Sequence, residues 1–238
     1  MTQLFQAQAP HRGPDHERQQ TSPGRFVKGL RATAKKLLPE VIVKEVQRYR
    51  AFTTPERPIY LRNRVLNGIG LDRPVLLRSP EKVRSVLFVC FGNIIRSPMC
   101  EALLIRELAP VTEIRISVSS AGLNALSGRP AHPWAIAAAW DFGISLEGHR
   151  TRLLNKQMVD EADAIFAMDY QNQVQLLTRW PGAKEKLYML SAYAGGHYRS
   201  VEIPDPYYMG QDGTIVCYRG LKTCIDGLAH SLSKRGRR

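Results

Sequence analysis

The rhythm of apolar and polar positions changes along the chain. Residues 1–24 are polar, contain Pro and Gly, and show no apolar period, so they read as a disordered tail. From Gly24 onward, Phe26, Leu30, Ala34, Leu37 and Leu38 recur every three or four residues, with Lys28, Arg31, Lys35 and Lys36 between them. That spacing predicts a basic amphipathic helix broken near Pro39. A second helical piece is expected from about Glu40 to Phe52. Residues 53–82 are basic and Pro-punctuated, with room for a short helix around Arg57–Leu66.

Beyond Arg84 the text alternates. VRSVLFVC reads as a buried strand and PMCEALLIRELA as a helix. EIRISVSSAG is a strand entering a turn, and HPWAIAAAWDFG a helix stopped by Gly143. DAIFAM is a strand, DYQNQVQLLTRW a helix capped by Asp169, KLYML a fourth strand, and 213–232 a closing helix. Strands alternating with helices predict an α/β fold: a four-stranded parallel sheet with helices on both faces. The expected organisation is a tail (1–24), a basic, partly helical extension (25–83), the α/β domain (84–233) and a basic tail (234–238).

Charge sharpens this division. The chain has 238 residues and a net charge of +13. Residues 1–85 contribute +10, residues 86–233 contribute −1, and the last five contribute +4. The basic character belongs to the ends, not to the α/β domain. With no zinc-finger spacing or RNA-binding aromatic signature either, nucleic acid is not expected as a partner. The basic helical region, residues 25–52, is instead suited to an anionic membrane surface, or to packing on the domain. No apolar run is long enough for a membrane span, the N-terminus lacks the apolar core of a secretory signal, and four cysteines without close paired spacing do not form a disulfide framework. A cytoplasmic protein with reduced thiols is expected, in places peripheral to a membrane.

The candidate chemistry lies in VLFVCFGNIIRSPMCEALL, residues 86–104. Five residues separate Cys90 from Arg96. In an arginine-rich chain that pattern alone is weak. Its seat is stronger evidence, because ligands of open α/β sheets bind beyond the carboxyl ends of strands. Ser97 reads as a helix cap and Pro98 as the first helical residue. The loop of Phe91, Gly92, Asn93, Ile94 and Ile95 then leads its amides to a helix N-terminus, an anion site. Arg96 would clamp a phosphate through two nitrogens, and the same positive field would favour a thiolate at Cys90, with Ser97 donating to it. Gly92 lets the backbone approach closely, and Asn93 tolerates a left-handed turn.

CFGNIIRSPMCEALL resembles the signature of the low-molecular-weight protein tyrosine phosphatases. SSAGLNALSGRPAHPWAIAAAWDFGISLEGHRTRLL and IPDPYYMG resemble two further segments of that family, in the same order. The likeness is greatest to bacterial members associated with capsule and exopolysaccharide synthesis. It implies that Asp205, 115 residues beyond Cys90, protonates the leaving tyrosyl oxygen and then activates water. It also implies a phosphotyrosine protein as substrate, with a bacterial tyrosine kinase of polysaccharide export as the candidate, and no cofactor. Leu126, Tyr207 and Tyr208 would wall the pocket, since a phenyl ring needs apolar and aromatic sides.

Two departures matter. Where many members carry a second cysteine, this chain has Ile95, so no protective disulfide can form within the loop, and peroxide is expected to inactivate readily. Ile94 stands where the arginine-phosphatase branch has threonine, which favours aryl phosphate. Cys100 reads as core. Cys217 and Cys224 sit about 10.5 Å apart along one helix, too far for a disulfide. His132 and His149 lack a second ligand at metal spacing and read as structural, so no metal is assigned. Two alternatives stay open: a thioredoxin-coupled arsenate reductase, and a lipid-binding module carrying an inactive phosphatase domain.

Overall fold

The computed structural model describes residues 40–68, 75–110, 115–195 and 202–233. The amphipathic helix expected before Pro39 and both expected tails lie outside them. The chain divides into two compact units, residues 1–50 and 51–238. In the first, helix α1 (Glu40–Ala51) forms where a second helical piece was expected.

The second unit is built on strand β1 (Ser85–Cys90). It pairs in parallel with β2 (Ser117–Gly122) on one side and β3 (Ala164–Ala167) on the other, and β4 (Leu187–Met189) completes the order β2-β1-β3-β4. The sheet is parallel throughout, as the alternation predicts. Side chains alternate across β1 with the period of two that a strand imposes. Val86, Phe88 and Cys90 face a core shared with helices α3 (Arg96–Leu108), α4 (Pro133–Trp140) and α7 (Gly210–Ser233). Leu87 and Val89 face a second core under α5 (Lys156–Glu161) and α6 (Tyr170–Arg179). Phe88 and Phe166 are fully buried with ring centroids 5.6 Å apart. Each such ring contributes about 1.5–3 kcal/mol of burial.

Two helix starts differ from the sequence reading. α3 begins at Arg96 rather than Pro98, and Ser97 is not its cap. The Ser97 hydroxyl is engaged elsewhere, and Pro98 still fits because first-turn N–H groups have no intrahelical partner. α5 was not expected. Its six residues carry little period, yet the Asn155 side chain accepts from the Met158 N–H at 2.9 Å and starts the turn.

Part of the basic extension packs with this unit. In TTPE, the Thr53 N–H donates to Glu56 Oε2 at 2.7 Å, half of a capping box that starts helix α2 (Glu56–Gly68). Phe52 and Tyr60 are buried with ring centroids 4.4 Å apart. Asn63 Nδ2 donates to Gln173 Oε1 at 2.7 Å, which joins α2 to α6. Farther on, Leu77 and Val83 enter the main core, and the Leu77 N–H donates to the Tyr193 hydroxyl at 2.9 Å.

Candidate active site

Strand β1 delivers Cys90 to the carboxyl edge of the sheet, and the chain turns at once into α3. The turn depends on Asn93, whose φ of 55° is the left-handed conformation that asparagine tolerates. It returns the Asn93 N–H to Cys90 Sγ at 3.2 Å. Ser97 Oγ lies 3.0 Å from the same sulfur. Because Ser97 Oγ accepts from Asn93 Nδ2 at 2.9 Å, its single proton remains for Sγ, the Ala121 carbonyl being farther at 3.4 Å. The sulfur thus faces two donors.

Asn93 and Ser97 are fully buried and hold the loop from behind rather than lining the cleft. Asn93 Nδ2 also donates to Ser120 Oγ at 2.8 Å, and Asn93 Oδ1 accepts from the Arg152 N–H at 2.8 Å. Ser120 in turn donates to Glu101 Oε2 at 2.5 Å, and Arg152 donates to both Glu101 oxygens at 3.1 Å. The His149 Nε2–H donates to the Asn93 carbonyl at 2.9 Å. Burial pushes the His149 pKa below its ordinary value, against the pull of that bond. From α7, the buried Tyr218 hydroxyl donates to the Ile95 carbonyl at 3.1 Å. Gly122, opposite Cys90 across β2, backs the loop so closely that a Cβ there would stand 2.8 Å from both Asn93 N and Gly92 C.

Arg96 is 2% exposed and donates three hydrogen bonds. Nη1 donates to Asp169 Oδ2 at 2.6 Å and to the Ile203 carbonyl at 3.0 Å, and Nη2 donates to Asp205 Oδ2 at 2.5 Å. Burial opposes the charge on Arg96, but Asp169, Cys90 and Asp205 outweigh it and hold its pKa above the ordinary value. Asp169 also caps α6 by accepting from the Asn172 N–H at 2.7 Å, so one carboxylate both starts a helix and orients the guanidinium. The Asp205 side chain is 43% exposed, and its Oδ1 accepts from the Tyr207 N–H at 3.1 Å.

These groups share one cleft of about 620 Å³. Cys90, Phe91, Gly92, Ile94, Ile95 and Arg96 line its floor. Asp169, Asp205, Leu126, Tyr207 and Tyr208 line its walls, with Asn124, Arg129 and Gln171 also on it. Tyr207 is wedged edge-on against Tyr208, with centroids 5.0 Å apart, and against His132 at 5.6 Å. His132 caps α4 by accepting from the Trp134 N–H at 3.2 Å. All four cysteines are free thiols.

Residues 85–238 match the family model described as low molecular weight phosphotyrosine protein phosphatase. The chain belongs to that family. As a member it is a tyrosine phosphatase. It is 38% identical over 125 residues to the probable low molecular weight protein-tyrosine-phosphatase EpsP of Ralstonia nicotianae, covering 52% of this chain and 79% of that protein. It resembles the solved tyrosine phosphatase Wzb from Escherichia coli K30 in complex with sulphate, at 31% identity and a TM-score of 0.57, over 63% of this chain and 99% of that one. It also resembles the YwlE arginine phosphatase from Geobacillus stearothermophilus, at 33% identity and a TM-score of 0.56, over 63% of this chain and 92% of that one.

Several residues of this phosphatase's site escaped the sequence reading. Asp169 was read only as a helix cap, and its contact with Arg96 depends on where β3 ends. Gly122 sits in SSAG, where a glycine after a strand reads as an ordinary turn. Glu101, Ser120, Arg152 and His149 lie within the stretches that resemble the family, but nothing in their spacing marked them as partners of the loop. A polar serine at the buried end of β2 was the one available signal for their network. Among the described residues, no helix is long and apolar enough to cross a membrane.

Proposed function

We propose that this phosphatase hydrolyses phosphotyrosine in proteins through a phosphocysteine intermediate. The observation that carries the reading is the convergence of Cys90, Arg96 and Asp205 on one cleft. The Cys90 thiolate attacks phosphorus while the bond to the tyrosyl oxygen breaks, and Asp205 gives that oxygen its proton. Arg96, the loop amides of Phe91, Gly92, Ile94 and Ile95 and the helix N-terminus hold the equatorial oxygens, whose charge is greatest in the transition state. Asp205, now ionised, takes a proton from water. That water attacks phosphorus, the S–P bond breaks, and inorganic phosphate leaves with the thiolate restored.

A phenyl ring is the favoured substrate group. Ile94 borders the floor, and Leu126, Tyr207 and Tyr208 offer apolar walls. The arginine phosphatase among the similar structures motivates the rival substrate, phosphoarginine. Phosphate release from phosphotyrosine, phosphoarginine and phosphoserine peptides, measured side by side, decides between them. The expected order puts phosphotyrosine far ahead, and Ile94→Thr should narrow the gap. Preference for phosphoarginine by the wild type would sink the aryl reading. Cys90→Ser should bind phosphotyrosine and release no phosphate.

The physiological substrate we favour, by resemblance, is a bacterial tyrosine kinase of polysaccharide export met in the cytoplasm, with the basic extension resting on anionic lipid. Sedimentation of the full chain with phosphatidylglycerol vesicles, but not with phosphatidylcholine, is the expected result for that extension. The arsenate reductase alternative needs two more cysteines on a mobile segment, whereas Cys217 and Cys224 both lie within the 24 residues of α7.

A further inference from the structure

We propose that helix α2, which precedes the residues matched by the family model, is a positioning arm for the acid loop, acting through Arg64 and Glu202. The proposal rests on the reading of Asp205 as the general acid. Arg64 Nη1 lies 3.4 Å from Glu202 Oε2. The other Glu202 oxygen accepts from the Tyr170 N–H at 3.1 Å. Tyr170 is buried and immediately follows Asp169, the carboxylate that orients Arg96. The Arg64 guanidinium also stands 6.0 Å from the Tyr170 ring centroid. One residue beyond Glu202, the Ile203 N–H donates to the Met168 carbonyl at 2.8 Å, and the Ile203 carbonyl accepts from Arg96. Two residues farther on is Asp205.

Glu202 therefore anchors to the first turn of α6 the segment whose Ile203 carbonyl holds the phosphate-clamping arginine and whose Asp205 is the acid. Its carboxylate sits at a helix N-terminus, where the dipole favours negative charge. Arg64 fixes the far side of that carboxylate, and the Asn63–Gln173 bond one residue away anchors α2 to the same helix. The Arg64–Glu202 pair is partly exposed, so its effect on overall stability is small. Its effect on the acid is geometric, because proton transfer in the transition state depends on sub-ångström placement.

The test uses the full chain and two substrates with leaving groups of different quality. Phenyl phosphate needs the acid, and p-nitrophenyl phosphate needs it much less. Arg64→Ala is expected to lower kcat/KM, which reports the step in which the leaving group departs, on phenyl phosphate by about fivefold to tenfold, a fraction of what a general acid contributes. On p-nitrophenyl phosphate kcat/KM should stay within about twofold. Glu202→Gln, which keeps an oxygen for the Tyr170 N–H but loses the charge facing Arg64, should behave the same way. The double variant should be no worse than either single one, and Arg64→Lys should restore most of the loss. Equal losses on both substrates, or no loss on phenyl phosphate, overturn the arm. Asp205→Asn measured alongside separates the causes. If it also fails to discriminate between the leaving groups, the acid assignment itself falls. If it discriminates and Arg64→Ala does not, only the arm falls.

Discussion

Arg96 and Asp205 are joined in a 2.5 Å ion pair across the cleft. The group proposed to clamp phosphate and the group proposed to protonate the leaving oxygen therefore hold each other. An arriving dianion must share Arg96 with Asp205, and the Asp205 carboxylate repels it. Removing that charge should favour simple anions while harming catalysis. Asp205→Ala is expected to tighten inhibition by inorganic phosphate about fivefold, on the order of 1 kcal/mol for like charges a few ångströms apart near a surface. The same variant should slow phenyl phosphate steeply. Weaker phosphate inhibition in Asp205→Ala would contradict this account.

Gly122 should tolerate no side chain. A Cβ at this position would press on backbone atoms of the loop after Cys90, with Asn93 N and Gly92 C at 2.8 Å and the Phe91 carbonyl at 2.9 Å. Backbone cannot swing aside as a flexible side chain does, so the loop itself must shift. Overpacking of this kind costs about 1–3 kcal/mol. A loop displaced by roughly an ångström loses about a hundredfold in rate. Gly122→Ala should therefore retain its far-ultraviolet circular dichroism while kcat/KM on p-nitrophenyl phosphate collapses. Wild-type activity in that variant would show that the loop yields without consequence.

The fold was legible because each β-strand and long helix of the α/β unit announces its own period. SVLFVC buries both faces, and the runs before and after it switch cleanly between helix and strand. The loop from Cys90 to Arg96 was legible because it is local, with Cys90, Asn93 and Arg96 inside seven residues. Asp205 was not, since 115 residues separate it from Cys90 and only the resemblance joined them. Ser97 misled only as a helix cap, because serine before proline is a common helix start; its contact with the sulfur was expected. Asp169 and Gly122 stayed hidden for another reason. Their contacts join residues far apart along the chain, and no spacing encodes those.

Cysteine modification should be selective. Cys90 lines the cleft floor, with 3% of its surface exposed, beside a buried guanidinium. Cys100 is fully buried, and burial pushes its thiol pKa up. Burial likewise pushes Cys217 and Cys224 up to about 12. A thiol so far above neutral pH supplies almost no thiolate, the reactive form. Iodoacetate at pH 7 is expected to add one carboxymethyl group, at Cys90, with parallel loss of activity and protection by inorganic phosphate. Cys90→Ser should take up none under the same conditions. Mass spectrometry of the intact chain reads both outcomes, and early labelling of Cys217 would refute the ordering.

His149 should make stability sensitive to mild acid. Its folded pKa is lowered, first by burial and then by Arg152 and Arg150, which outweigh the Asn93 carbonyl and Glu101. A histidine depressed in the folded state binds its proton more readily when unfolded. Above about 6.5, the ordinary value for histidine, both states are neutral and nothing is lost. As pH falls below that value the unfolded chain protonates first, so stability declines until the folded pKa is passed. His149→Gln can keep a donor for the Asn93 carbonyl but does not titrate. Urea unfolding between pH 8 and pH 5 should show a shallower loss of stability in His149→Gln than in the wild type. Parallel curves would mean that His149 holds the loop without sensing pH.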